Sequence, residues 1–171
     1  EEMLAIALRH RPHAACIVPD KREERTTEGG LDAAGQHDHL SFHVARLRGA
    51  GIRVSLFIEP HPAQVEAAAR LGAPVVEFHT GRYAHAAGAE REAELDRIRK
   101  AAALAVQAGI EPHAGHGLTF DNVKPVAAIP ELAELNIGHF LIGEAAFVGR
   151  AAAIGTMREA MRRGRARAAV A

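Results

Sequence analysis

Within its 171 residues the chain has one cysteine, Cys16, so no intrachain disulfide can form and a reducing, cytoplasmic compartment is the natural reading. Net charge is also lacking: 21 acidic side chains balance 21 basic ones, which removes the electrostatic footprint expected of a nucleic-acid or anionic-membrane binder. No stretch approaches the roughly 20 apolar residues of a membrane span, and no charged-then-apolar leader is present. No Gly-x-Gly-x-x-Gly turn opens a helix, which weakens a dinucleotide-binding reading. The chain also opens without an initiator methionine or a first strand. Glu1 to Leu8 reads as a helix already under way, so a fragment is expected.

What is present is an ordinary globular composition, 48% apolar and 25% charged, which argues against disorder. One pattern recurs along it. Helical segments rich in Ala, Leu, Arg and Glu end at a glycine, and a short apolar or β-branched run follows within a few residues. Leu47-Arg48-Gly49-Ala50-Gly51-Ile52-Arg53-Val54 shows it, as do Leu71-Gly72-Ala73-Pro74-Val75-Val76 and Ala108-Gly109-Ile110-Glu111. The spacing predicts strands over 13–18, 53–59, 74–79, 111–115 and 134–138. It predicts helices over 1–10, 36–49, 62–71, 90–108, 121–128 and 150–165. Strands apolar on both faces and separated by helices are parallel strands covered by helices.

An open doubly wound sheet and a closed eight-stranded barrel both satisfy that grammar. Polar residues that packing does not explain gather at the C-terminal ends of successive strands: Asp20 to Arg22, Glu59, Glu77 and His79, His116, and His139. In a TIM (β/α)8 barrel that rim carries the chemistry. A whole barrel needs about 250 residues, so five strands here leave room for three more βα units upstream. The expected fold is therefore an α/β TIM barrel, present as its last five βα units in one catalytic domain.

Strand alternation places Val75, Glu77 and His79 on one face, Ala114 with His116, and Leu135 and Ile137 with His139. Glu77, His116 and His139 are thus expected to converge in one barrel mouth, where a carboxylate beside an imidazole suits general acid catalysis. His116 stands between Gly115 and Gly117, where backbone can approach a bound group closely. A helix starting at His139, after Gly138, would offer backbone N–H groups to an anion. His10, His37, His39, His43, His61 and His85 read as surface or structural residues. His113 and His116, three apart on a strand, face opposite sides and do not make a metal pair. The long charged loop from Asp20 to Asp32 has the length of a binding loop, with Thr26 and Thr27 as hydroxyl donors. The basic cluster from Arg158 to Arg167 reads as the solvated end of a helix.

Several motifs, taken in order, resemble one family. They are Val18-Pro19-Asp20-Lys21-Arg22, Thr26-Thr27-Glu28-Gly29-Gly30-Leu31-Asp32, Ser55-Leu56-Phe57-Ile58, Glu77-Phe78-His79-Thr80-Gly81-Arg82-Tyr83, Ala114-Gly115-His116-Gly117-Leu118-Thr119 and Glu134-Leu135-Asn136-Ile137-Gly138-His139. Together they resemble the pyridoxine 5′-phosphate synthases, ring-closing enzymes of vitamin B6 biosynthesis, over essentially the whole chain. The resemblance implies condensation of 3-amino-2-oxopropyl phosphate with 1-deoxy-D-xylulose 5-phosphate on a TIM barrel, without metal or organic cofactor, in an octamer. The amine for imine formation belongs to the substrate, so no catalytic lysine is implied. By resemblance His116 is the proton donor and Glu77 the transition-state-stabilising carboxylate. Gly117, Gly138 and His139 match contacts to the aminoketone phosphate, and Thr26 a contact to the deoxyxylulose phosphate.

The family's two proton acceptors, a histidine and a glutamate on its second and third strands, are expected upstream of Glu1, so the chain alone is expected to be inactive. Glu144 stands where a basic residue is expected after the last strand. Other classes compatible with the residues are a sugar-phosphate isomerase or epimerase, a metal-dependent aldolase or hydrolase, and a non-catalytic phosphate-binding or assembly fragment.

Overall fold

The computed structural model describes residues 2–19 and 29–168. Five strands, β1 (Ala14–Ile17), β2 (Arg53–Ile58), β3 (Val75–His79), β4 (Glu111–Gly115) and β5 (Glu134–Asn136), pair in parallel in the order of the sequence. A doubly wound sheet reverses its strand order at a switch point. Unbroken sequential order with a helix in each crossover is the connectivity of a barrel wall, and the sheet is a curled half-barrel.

Curling is visible in which side chains meet. On the concave face the Arg53 guanidinium of β2 lies 2.7 Å from Glu111 of β4. Asn136 of β5 donates to Glu77 of β3 at 2.9 Å. Each pair skips a strand, as inward-pointing side chains do on the concave side of a bent sheet. The layering of a barrel interior is built from alternate strands in the same way.

On the convex face Val54, Leu56, Ile58, Val76, Phe78 and Ala114 are buried in one apolar cluster beneath the helices. The helices are α1 (Glu2–His10), α2 (His37–Gly49), α3 (Pro62–Leu71), α4 (Gly81–His85), α5 (Gly88–Gln107), α6 (Val123–Ala127), α7 (His139–Val148) and α8 (Arg150–Ala168). Local sequence explains their ends. Pro62 begins α3, where the N–H it lacks would have no helical partner, and the His61 ring accepts a bond from the Ala63 N–H at 3.3 Å. Gly72 closes the helix in the left-handed region at φ 71°. After α2 the left-handed residue is Gly51 rather than Gly49, which is still helical. Strand and helix positions otherwise follow the spacing to within a few residues; α4 and α7 are absent from the helices that the spacing predicts, although Gly138 pointed to a helix start at His139. The five residues of α4 are too short for a helical period to register.

The basic cluster near the end of the chain is helical, as expected, but not wholly solvated. Arg165 donates to the Ile129 and Leu132 carbonyls at 2.6 Å each, tying α8 to the segment after α6. Arg162 and Arg163 pair with Glu159. No helix among the described residues is long and apolar enough to cross a membrane.

Two glycines of α8 separate packing from propensity. A Cβ on Gly164 would stand 2.3 Å from the Lys124 carbonyl oxygen of α6, whereas one on Gly155 would meet nothing within 4 Å. Gly164→Ala is expected to cost about 1–3 kcal/mol by overpacking, and Gly155→Ala to gain roughly 0.5–1 kcal/mol of helix propensity. Denaturant melts of the two variants check both signs.

Candidate active site

A cleft of 1010 Å³ opens on the concave side where β3, β4 and β5 end. Glu77, His79, His116, Gly117, Gly138 and His139 all line it. The structure thus brings together five of the six residues singled out from the sequence: Glu77, His116, Gly117, Gly138 and His139. Thr26 lies outside the described residues, as do Asp20 to Glu28 generally.

The route by which His116 arrives differs from simple alternation. Ala114 is fully buried under the helices, and a Cβ on Gly115 would point at the Glu77 carboxylate, so odd-numbered residues of β4 face the cleft. Alternation would therefore send His116 towards the helices with Ala114. His116 instead takes a left-handed φ of 82°, rare for a residue with a Cβ, and this turn swings its ring into the cleft. Buried Thr80 holds the turn. Its hydroxyl lies 2.7 Å from the Gly115 carbonyl and 2.6 Å from that of His116, and its N–H donates to Gly115 at 2.8 Å. Gly117 is left-handed too, at φ 74°, and a Cβ there would come within 2.7 Å of the Ala84 Cβ.

On β5 the inward residue is Asn136 rather than Leu135, and Ile137, just past the strand, also lines the cleft. Leu135 packs against the core, while the Asn136 amide bonds the Glu77 carboxylate. The strand ends at Asn136, so period-two counting does not extend to His139. His139 reaches the cleft as the first residue of α7, with Gly138 as its N-cap. The first N–H groups of a helix have no partner within it and carry its positive dipole end, so this terminus suits an anion. Arg82 and His85 stand on the same cleft, and neither was singled out as a site residue from the sequence. His85, read as a surface residue, is exposed at the cleft wall. Glu144 lies in the second turn of α7, outside the cleft lining.

The electrostatics of the two carboxylates diverge. Glu77 is half-buried, and burial pushes its carboxyl above the ordinary range. Neighbouring Glu134 pushes the same way, while His113 and the Asn136 bond oppose it. For Glu59, at the end of β2, burial also pushes upward. It is outweighed by the bond and charge of His79, the Gly30 N–H and Arg97, which bring the carboxyl down to about 2. The carboxylate–imidazole pair in hydrogen-bond contact on this rim is therefore Glu59 with His79, at 2.8 Å. Cys16, on the β1 side, has its thiol pushed up to about 11 by its protein surroundings and by Glu77, so it stays protonated at neutral pH. His113 is occupied with Glu111 at 2.8 Å. Among the described residues no three His, Cys, Asp or Glu side chains are placed to hold a metal ion.

A family model described as "Pyridoxal phosphate biosynthesis protein PdxJ" matches residues 1–163. The chain belongs to this family. The pyridoxine 5′-phosphate synthase of Zymomonas mobilis is 64% identical over 166 residues, a match covering 97% of this chain and 65% of that protein. The pyridoxine 5′-phosphate synthase of Rhodospirillum rubrum is 66% identical over 161 residues, covering 94% of this chain and 65% of the relative. The chain therefore spans about 65% of the length of these relatives.

Burial of Glu77 has a thermodynamic consequence. The native state binds its proton more tightly than the unfolded chain, so stability falls as pH rises from the ordinary value of 4.5 through the raised native one. Glu77→Gln keeps an acceptor for Asn136 and removes the charge. It is expected to stabilise the fold at pH 7 by roughly 0.5–1 kcal/mol, with the gain vanishing at pH values below 4.5. Melts across that range check the sign.

Proposed function

We propose that this chain carries the last five βα units of a pyridoxine 5′-phosphate synthase barrel and most of one catalytic mouth. In that reading 3-amino-2-oxopropyl phosphate condenses with 1-deoxy-D-xylulose 5-phosphate to give pyridoxine 5′-phosphate, inorganic phosphate and water. The observation that carries it is the meeting of Glu77, His116, Gly117, Gly138 and His139 in one cleft. Family membership supplies the substrates.

The roles are those the family resemblance implies, and the surroundings of the described residues fit them. The α7 N-terminus, with Gly138 and His139, and the left-handed Gly117 receive the aminoketone phosphate through backbone N–H groups. Arg82 and His85 add positive charge at the same mouth. His116 delivers a proton as an oxygen leaves. Glu77 stabilises positive charge that develops at the imine nitrogen, an interaction strengthened by the same desolvation that raises its pKa. Thr26, outside the described residues, is assigned a contact to the deoxyxylulose phosphate by resemblance alone. The family's two proton acceptors come from strands preceding these five, so the barrel closes and the reaction completes only with them. A cytoplasmic setting fits the lone cysteine. The homo-octamer rests on the family resemblance, and the exposed Ile142 and Phe147 of α7 offer apolar surface for a neighbouring copy.

In the full-length protein, His116→Ala is expected to lower kcat by about 10²–10⁴-fold with both phosphorylated substrates, while the melting curve stays close to that of the wild type. The 171 residues alone are expected to give no turnover. A His116→Ala enzyme that retains the wild-type rate would overturn the assignment.

A further inference from the structure

Beneath the His116 ring lies a second imidazole with no role in the scheme above. His79 is 7% exposed, and its ring centroid is 4.8 Å from that of His116, tilted by 53°. One edge is fixed: Nδ1 meets Glu59 Oε1 at 2.8 Å. Glu59 is itself held by the Gly30 N–H at 3.1 Å and by Arg97 at 3.1 Å, and Arg97 is braced by Glu94 at 2.8 Å. The other edge, Nε2, is sealed from solvent and makes no hydrogen bond among the described residues. A Cβ on Gly81 would stand 2.5 Å from that nitrogen and 3.1 Å from His116 Cδ2, so only a glycine leaves room for the two rings together.

A buried imidazole with an unpartnered nitrogen has a cost, roughly 1–3 kcal/mol, that a purely packing residue would avoid. Ligand cannot reach the sealed atom, so whatever His79 contributes passes through the ring above it. The charged groups facing His79 are Glu59 from β2, Arg97 and Glu94 from α5, and Glu77 from its own strand. The first three are tied together on the side away from His116.

We propose that His79, locked by Glu59, is a positioning residue that fixes the orientation of the His116 imidazole in its left-handed turn. This rests on His116 being the proton donor. Turn geometry sets where the His116 backbone goes, and the His79 ring, 4.8 Å away and tilted by 53°, bounds the χ1 and χ2 the imidazole can adopt. A proton donor misplaced by an ångström loses about 10²-fold in rate.

The test uses the full-length enzyme. His79→Ala and Gly81→Ala, which deforms the same contact without deleting a polar group, are each expected to lower kcat by about 10–100-fold. KM for both substrates should stay within about twofold. Adding His79→Ala to His116→Ala should cause no further loss, since a residue acting only through His116 has nothing left to act on. In a crystal structure of His79→Ala, the His116 ring should occupy a changed or split rotamer. Glu59→Asp, keeping a carboxylate for Nδ1, should recover more rate than Glu59→Ala. The proposal is overturned if His79→Ala retains the wild-type kcat, if its loss adds fully to that of His116→Ala, or if the His116 ring is unmoved. Wild-type rate in His116→Ala alone would instead refute the proton-donor assignment, so the two failures are told apart.

Discussion

The contact on which the candidate site depends is the clamp from Thr80 to the carbonyls of Gly115 and His116. It joins the end of β3 to the turn after β4, with no solvent to compete, since Thr80 is fully buried. A residue with a Cβ enters the left-handed region at a cost of about 1–2 kcal/mol, and it stays there only where its surroundings over-determine the conformation. The hydroxyl and N–H of Thr80 supply that constraint. Without it β4 would run on in extended form and present the His116 ring to the helices.

Below this rim the concave face is polar where the convex face is apolar. Glu77, His113, Glu111, Glu134, Arg53 and Asn136 all belong to it, paired across the sheet by bonds such as Arg53 to Glu111 and Asn136 to Glu77. Most of these charges are offset by a partner. Glu77 is offset incompletely: His113 and the neutral Asn136 favour its charge, but burial and the neighbouring Glu134 outweigh them. A half-buried carboxylate kept in a poorly compensated environment is a poor choice for stability, and the convex core bears that burden through Phe78, Leu56, Ile58 and their neighbours. The same poor compensation leaves Glu77 available to a positive charge that arrives with a ligand.

Much of this was legible in the residues. Glycines after helical runs marked helix ends, apolar pairs such as Val75-Val76 marked strands apolar on both faces, and the positions of Glu77 and His116 towards strand ends marked the mouth. What stayed hidden has a common cause, which is that period-two counting holds only inside a strand. Counting through Gly115 to His116 crosses a reversal of φ, and counting from Leu135 to His139 crosses from β5 into α7. Both residues reach the cleft, but by a kink and a helix start rather than by alternation. Asn136 was hidden because the wrong parity was assigned to β5. The Glu59–His79 bond joins residues 20 apart on adjacent strands, and no local signal marks such a contact. Alternation did place His79 on the face of Glu77, so a carboxylate ending the preceding strand was the available clue.

Two kinds of coupling meet in the cleft, and they differ in geometry. Within the sheet, side chains touch across alternate strands, as barrel curvature requires, and this links Glu77 to β5. On the rim the links pass between immediate neighbours instead: Glu59 after β2, His79 at the end of β3, His116 after β4. Glu59 and His116 lie one residue past their strands, and His79 is the last paired residue of β3, so at the rim adjacent chains lean together where the pleat is ending. The rim series continues outward through Arg97 and Glu94 into α5, the 20-residue helix that covers the sheet. A change in how α5 packs is therefore transmitted to the His116 ring by four charged or polar side chains in contact. Among the described residues Glu77, held by strand pairing one layer below, has no such link to α5, so the two proposed site residues rest on separate supports.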